Sequence, residues 1–598
     1  MTIPSRPRLL LALEFLLYAV LTALMLHATW LTWPDAYIDF SRELYLPWRV
    51  ACGDVLYRDL AYYFGPVSVY TNAALFALLG RPSIHALFAL NFVFWLATLL
   101  ALRALLRRIA TPLAATLAVS SFILLFSFNR YISFGNFNYL APYSHELPRG
   151  LLLALLALLA LDSALRRHSA PLALLAGFFL GLTLSTKPEI ALASVSSALV
   201  LFLFSSIPFS HFPWGGARPA RGETPPPFPL PSLVTCHSSL CLAATVGLLA
   251  ALALVLVPLS FALGSFVQAL RHGLLKLYID CFNPTLTSLP FFKKIMGTAN
   301  FPLHLAWLLL GTALVVLPFL PMRFLLPRIS SPPLRRAATV LLVLLAAAVG
   351  LFGFNPLNSI LILAPVAFGL VALRQGYSPP LTLAFAVFAF LLASKMLLNA
   401  SVTFYGFVLA LPAFCCAVLL ALRPPCPAIR ATLAFALLLG FSSAAIRLQA
   451  ATLRQWDIRH PVHDNAFRAD PVNANAFNAA LEWIRDNTKP GSTLAVLPEG
   501  AILNVLSDRP NPTPYVSMEE QAWPRYDEAA LLAAYSNSPP DTLVLVRKPQ
   551  DAAFGTDYGR SLMALLDPLY TPAFTVSIPT SSGPVPYIVI ATRSSSPP

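Results

Sequence analysis

The stretch "DAYIDFSRELYLPWRVACGDVLYRDLAYYFGP", residues 35–66, crowds chemically capable side chains together. Five carboxylates (Asp35, Asp39, Glu43, Asp54, Asp59) and three arginines (Arg42, Arg49, Arg58) alternate with Tyr37, Tyr45, Trp48, Tyr57, Tyr62 and Tyr63. A carboxylate can take a proton from a hydroxyl as a general base, and an arginine can grip a phosphate through its forked donors. The plain alternative is a solvated loop whose arginines and aspartates simply pair. Three further stretches carry suitable groups. "NFNYLAPYSHELPRG" holds His145, Glu146 and Arg149; "GLTLSTKPEIALAS" places Lys187 and Glu189 either side of a proline; "YIDCFNPTLTSLPFFKKIMG" offers Lys293 and Lys294. Those two lysines suit lipid phosphates, or ordinary snorkelling to the headgroups. His145 beside Glu146 is too little to define a metal site.

The elements that must position these groups are membrane helices. Hydrophobic residues make up 57% of the chain and charged ones 11%, against about a quarter charged in soluble proteins. Apolar runs of bilayer-crossing length recur at about 9–31, 84–107, 111–128, 149–165, 171–185, 189–207, 239–262, 302–320, 336–354, 356–373, 381–398, 403–422 and 428–446. This predicts an α-helical polytopic integral membrane protein with about 13 transmembrane helices. The first run follows "RPR" without a small-residue cleavage site, so it reads as an anchor. Basic residues in 103–108, 166–168, 218–221, 322–336, at Arg374, and at Arg423 with Arg430 fall in alternate connections. By the positive-inside rule those connections, and the N-terminus, are cytoplasmic, and the C-terminus is outside. The Pro-rich stretch within 208–238 becomes a cytoplasmic linker.

Charge divides the chain. Residues 1–454 carry 30 Lys+Arg against 11 Asp+Glu, while residues 455–598 carry 10 against 15. The basic total therefore follows membrane topology, and no basic cluster of the nucleic-acid-binding kind is present. Eight of the eleven carboxylates before residue 455 (Asp35, Asp39, Glu43, Asp54, Asp59, Glu146, Glu189, Asp280) fall in expected external loops. Proton-accepting groups thus gather on one face. The aromatics of the first external loop, 32–83, suggest short helices lying at headgroup level. Residues 455–598 differ in kind: "AFNAALEWIRDN" has helical spacing, and 492–498, 541–548 and 585–593 read as strands. A small extracytoplasmic α/β domain with an accessory role is expected. None of the seven cysteines forms a zinc-type spacing, and none lies after Cys426.

"PDAYIDFSRELYLPW…GDVLYRDLAYYFGPVSVYTNAALFALLG" and the "LTLSTKPE" element resemble the GT-C superfamily of polyprenyl-phosphate-sugar-dependent glycosyltransferases, especially the bacterial branch that includes protein O-mannosyltransferases and lipid A aminoarabinose transferases. The resemblance implies a catalytic region over residues 1–454 and an inverting sugar transfer. An aspartate of the first external loop would activate the acceptor; that role carries over to Asp39, with Asp35 the competing assignment. Arg42, Arg58, Asp59, His145, Glu146, Arg149, Lys187, Glu189 and Lys293 are the candidate substrate-binding residues. The aminoarabinose branch has a Glu-Lys pair where this chain has Phe64 and Gly65 before Pro66, and Arg58, Asp59 or Lys187 are the candidate substitutes. No cofactor is expected; some members use a divalent cation and others do not, so no metal ligand is assigned. The implied partners are a polyprenyl-phosphate-linked hexose or pentose donor, a lipid, glycan or protein acceptor, and membrane lipids, with no nucleic acid. The implied location is the inner (plasma) membrane, with the C-terminal domain in the periplasm. Two other readings remain: a lipid or sugar transporter or flippase, which the scarcity of mid-helix charges disfavours, and a non-catalytic assembly partner.

Overall fold

The computed structural model describes residues 6–35, 37, 39–131, 136–206, 230–320, 324–352, 360–374, 380–423, 427–453, 465–547, 553–580 and 583–594. Residues 208–229 of the expected linker 208–238 and the expected boundary at 454/455 lie outside them.

The first half of the chain is a run of helices, apolar apart from the amphipathic α2: α1 (Arg6–Ala28), α2 (Phe40–Ala51), α3 (Val67–Leu79), α4 (Ile84–Ile109), α5 (Pro112–Ser121), α6 (Glu146–Arg167), α7 (Ala170–Leu184), α8 (Pro188–Ser206) and α9 (Leu230–Leu263). Further apolar helices follow at Phe301–Leu320, Pro332–Phe352, Leu363–Arg374, Pro380–Ser394, Leu411–Ala421 and Pro427–Leu453. Within the described residues, six stretches are long and apolar enough to cross a membrane: Arg8–Ala28, Ile84–Ile109, Glu146–Arg167, Pro188–Ser205, Ser238–Leu263 and Ala431–Ala450. Several of the other expected crossings coincide with shorter apolar helices. This is a polytopic membrane protein.

Local sequence sets the helix ends. Ser83 caps α4 through its hydroxyl to Ala86 N at 3.2 Å, and Thr111 with Pro112 opens α5. α5 loosens into a π-helix over Phe122–Ser127 before the chain turns toward Asn129 and Arg130. α7 and α9 pack backbone to backbone because a Cβ on Gly177 would lie 1.8 Å from the Ala244 carbonyl oxygen. Such small-residue contact is a usual way for membrane helices to associate, since lipid tails compete equally for apolar side chains.

The last part of the chain folds around a four-stranded sheet, β1 (Leu494–Leu497), β2 (Thr542–Val546), β3 (Tyr570–Thr580) and β4 (Gly583–Arg593), in the order β1-β2-β4-β3. β1 pairs parallel to β2, with Leu494 opposite Thr542; β4 runs antiparallel to both its neighbours, with Val544 opposite Ile590 and Phe574 opposite Ile590 from the other side. The expected strands match β1, β2 and β4; β3 was not expected. The helix Pro471–Asn487, capped by Asp470 on Asn473 N at 3.0 Å, extends the expected 476–487 by one turn and more.

This region sits on the segment that precedes α3. Ala61 N donates to Pro514 O (2.9 Å), Asn511 N to the Tyr45 hydroxyl (2.9 Å), and Arg468 N to Leu31 O (2.8 Å). The Tyr37 ring meets Phe477 and Tyr587 edge-on at 5.5 and 5.9 Å. The aromatics of 35–66 are therefore packed against protein rather than presented to lipid: Tyr37, Tyr45, Trp48, Tyr62 and Tyr63 are buried, and α2 buries Phe40 through Trp48. Their amphipathic rings are satisfied by protein rather than by the lipid interface.

Candidate active site

The two stretches singled out in the sequence meet. Gly65 N donates to Thr186 O at 3.2 Å, and a Cβ on Gly65 would fall 1.8 Å from the Ser185 carbonyl oxygen. Only glycine permits that approach, which explains why Gly65 precedes Pro66 here. The contact brings Phe64 under Lys187, whose Nζ lies 3.8 Å from the Phe64 ring centre and 4.6 Å from that of Tyr143. Lys187 also donates to the Tyr143 hydroxyl at 3.2 Å. Burial draws this ammonium down to about 7, Glu189 opposing and Lys395 assisting. The two ring faces act the other way and favour the charged form.

At the start of α2, Arg42 is the hub. Its Nη1 donates to the Tyr63 hydroxyl (2.9 Å) and lies 3.2 Å from Asp39 Oδ1 and 3.6 Å from Glu519 Oε1. Its Nη2 donates to Tyr143 O (3.0 Å) and to Glu43 Oε1 (3.3 Å). Burial alone would weaken the cation, but Tyr63, Asp39, Glu43 and Glu519 more than offset that, and Arg42 stays charged. Three carboxylates thus share one guanidinium. Asp39 bears the consequence: burial, then the Glu519 charge, with Glu43 adding and Arg42 and Lys187 opposing, push its carboxyl up to about 8. Its side chain keeps 17% of its surface exposed, whereas those of Arg42 and Glu43 keep 3% and 2%. Asp39 therefore combines a proton affinity suited to neutral pH with access to a reactant.

Asp35 is placed otherwise. Its Oδ2 faces Arg130 Nη2 at 3.2 Å and its Oδ1 accepts from Tyr37 N at 3.0 Å. Arg130 also donates to the carbonyls of Thr32 (2.9 Å) and Pro34, so Asp35 and Arg130 lock the chain as it leaves α1.

Behind Arg42 a buried chain runs into the bundle. Glu43 Oε2 accepts from His145 Nδ1 at 2.7 Å; His145 Nε2 faces Asn91 Nδ2 at 2.9 Å; Asn91 Oδ1 accepts from Arg149 at 3.1 Å. These partners require the proton on Nδ1. Burial, aided by the Arg149 and Arg42 charges, holds His145 well below its usual range, so it is neutral. Arg149 Nη1 also donates to Ser68 O (3.1 Å) and its Nη2 to Asn72 Oδ1 (2.5 Å), tying α6 to α3. Glu146 accepts from Tyr62 and Ser144, each at 2.6 Å. Glu189 pairs with Lys395 rather than with its neighbour Lys187.

The structure thus gathers Asp39, Arg42, Lys187 and, one layer back, His145, Glu146, Arg149 and Glu189. It leaves Arg58 and Asp59 paired with each other at 2.7 Å on an exposed turn, where Arg58 reaches Ala262 O. Lys293 is exposed on the short helix Pro290–Ile295. Among the described residues no contact joins these three to Arg42, and no group of three or more His, Cys, Asp or Glu side chains is placed to hold a metal ion. Sequence reasoning missed Glu519, Arg525 (4.4 Å from the Tyr63 ring centre), Lys395 and Tyr405, whose ring packs on Tyr143 at 4.8 Å. The acidic doublet and arginine of "SMEEQAWPR" (517–525) were the available signal.

No protein-family model matches the chain, and no curated protein does either. Among solved structures it is similar to the Archaeoglobus fulgidus oligosaccharyltransferase. The complex of that enzyme with zinc and sulfate aligns at 14% identity and a TM-score of 0.47, over 96% of this chain and 73% of the other. The apo form aligns at 15% identity and a TM-score of 0.48, over 97% and 74%. At such scores neither structure assigns a chemistry to this chain; its own side chains must.

Proposed function

We propose that the chain is a membrane glycosyltransferase that moves a hexose or pentose from a polyprenyl-phosphate carrier to a lipid, glycan or protein acceptor at the outer face of the membrane. One observation carries this reading: a partly accessible carboxylate of raised proton affinity, Asp39, stands beside two cations, Arg42 and Lys187, where the start of α2 and the segment between α7 and α8 come together among apolar helices. A lipid-linked phosphate has the matching shape, with a tail for the helices and an anion for the cations. Asp39 takes the proton of the acceptor hydroxyl, whose oxygen attacks the anomeric carbon on the face opposite the phosphate. The anomeric C–O bond breaks with its electron pair passing to the lipid phosphate, and the configuration inverts. Arg42 and Lys187 neutralise the charge that develops on the leaving phosphate. In this reading residues 1–454 form the catalytic region, and residues 455–598 lie outside the inner (plasma) membrane, on the periplasmic side.

The test is transfer by the purified protein from a panel of polyprenyl-phosphate hexoses and pentoses, with envelope extract as acceptor and proton NMR of the product's anomeric configuration. Inverted product supports the reading. Retained configuration would require a covalent intermediate and sink the single-displacement account, and silence across the panel with protein that binds polyprenyl phosphate would favour a transporter.

A further inference from the structure

The sequence gives residues 455–598 only an accessory part, yet one of its side chains enters the Arg42 cluster. Glu519 keeps 6% of its side chain exposed and lies 3.6 Å from the same guanidinium nitrogen that Asp39 approaches to 3.2 Å. It is held there deliberately. Ser517 Oγ donates to Glu519 Oε1 at 2.6 Å, and Gln521 Nε2 donates to Oε2. Ala522 N and Trp523 N donate to Glu519 O at 2.9 and 3.0 Å, fixing the turn, and Met518 N donates to Pro498 O at 2.8 Å, tying the turn to the end of β1. The segment ends in Arg525 over the Tyr63 ring, so Glu519 and Arg525 both face the loop before α3.

An aspartate alone with a buried arginine would be a closed ion pair, strongly acidic and idle. A second carboxylate on the same nitrogen divides that attraction and adds repulsion. Glu519 is also the largest charged contribution to the Asp39 environment. We propose that Glu519 is a positioning residue of the reaction centre: by sharing Arg42 with Asp39, it keeps Asp39 available as a base, so that the site is complete only when the 517–525 segment is docked. This rests on the glycosyltransferase reading for the role of Asp39, but not for its proton affinity.

The groups that face Asp39 are Arg42 and Glu43 of α2, Lys187 before α8, Tyr143 before α6, Tyr405, and Glu519 itself, with Arg525 behind it. Of these, Glu519 is the acid that residues 455–598 bring to Arg42.

The experiment uses the full chain in detergent and needs no sugar donor. Dicyclohexylcarbodiimide, which attacks protonated carboxyls, is applied across pH 5–9, and peptide mass spectrometry follows modification at Asp39. The expected result is a modification midpoint in wild type well above the ordinary aspartate range, lowered by about a unit or more in Glu519→Gln and kept high in Glu519→Asp. An unchanged midpoint in Glu519→Gln of wild-type melting temperature overturns the proposal. Should that variant not fold, Ser517→Ala, which removes one hydrogen bond from Glu519, must lower the midpoint by less; no shift there overturns it equally. The donor panel is run on the same preparations. A silent wild type with a shifted Asp39 midpoint defeats the glycosyltransferase reading while leaving the role of Glu519 standing.

Discussion

α6 carries charge at both ends, and the clusters around its two ends are built on opposite plans. At one end Glu14 accepts from Arg103 Nε and Nη2 (2.9 and 2.8 Å) and from the Tyr18 hydroxyl (2.8 Å), with Arg107 at 3.9 Å. Asp162 there is shared by Arg108 at 2.6 Å and Arg166 at 2.9 Å. Cations outnumber carboxylates, and each carboxylate is saturated. At the other end Asp39, Glu43 and Glu519 divide a single Arg42. Saturated carboxylates are spent on holding helices together. Carboxylates in excess around one cation keep proton affinity in hand, which is what a general base needs.

The sharpest way to break the comparison is to remove a saturated carboxylate from the reactive end. Asp35 is such a group, and Asp35→Asn takes the facing carboxylate from buried Arg130, on which Asp470 also acts. A stability loss of about 3–5 kcal/mol is expected, read as an earlier thermal melt, with turnover per folded molecule retained. Loss of turnover in folded Asp35→Asn would erase the distinction between the two aspartates. Glu14→Gln, at the far end, is expected to cost less, about 1–3 kcal/mol, because Arg103 and Arg107 remain partly exposed and can rehydrate. Its turnover should be untouched.

A smaller effect separates the cations. Since Lys187 loses its proton near pH 7, binding of polyprenyl phosphate should weaken as pH rises from 6 to 9, and Lys187→Met should bind weakly with a flatter profile. A wild-type profile as flat as the variant's would remove Lys187 from the phosphate site. Asp39 itself gives stability a pH dependence. Its carboxyl is raised in the folded state, so the folded chain holds more protons than the unfolded one between the ordinary aspartate range and about 8, and stability falls as pH rises through that window. Asp39→Asn should therefore melt later than wild type at pH 8, with the difference shrinking toward pH 5. An earlier melt at pH 8 would mean that Asp39 is a structural partner of Arg42.

Much of this was legible in the chain. The apolar runs located the helices, and the crowd of acids at 35–66 contains Asp39 and Glu43, which the structure brings to Arg42. The resemblance rests on that loop and on "STKPE" separately; their meeting is made at Gly65 and Thr186. The choice between Asp35 and Asp39 was not legible, because it depends on Arg130, 95 residues beyond Asp35, and on Glu519, far later still. The same distance hid the burial of the loop aromatics. Tyr37 and Tyr45 look like interfacial rings until Phe477, Tyr587 and Asn511 fold over them. Lys395 was equally silent: nothing local to it points at Glu189.

The central claim, that Asp39 is the base, is tested most directly by Asp39→Asn in a single-turnover experiment with an active polyprenyl-phosphate sugar, measuring donor binding and transfer on the same folded protein. The account predicts donor affinity within a few-fold of wild type and transfer slowed by about 10²–10⁴. Transfer at a rate close to wild type would contradict it.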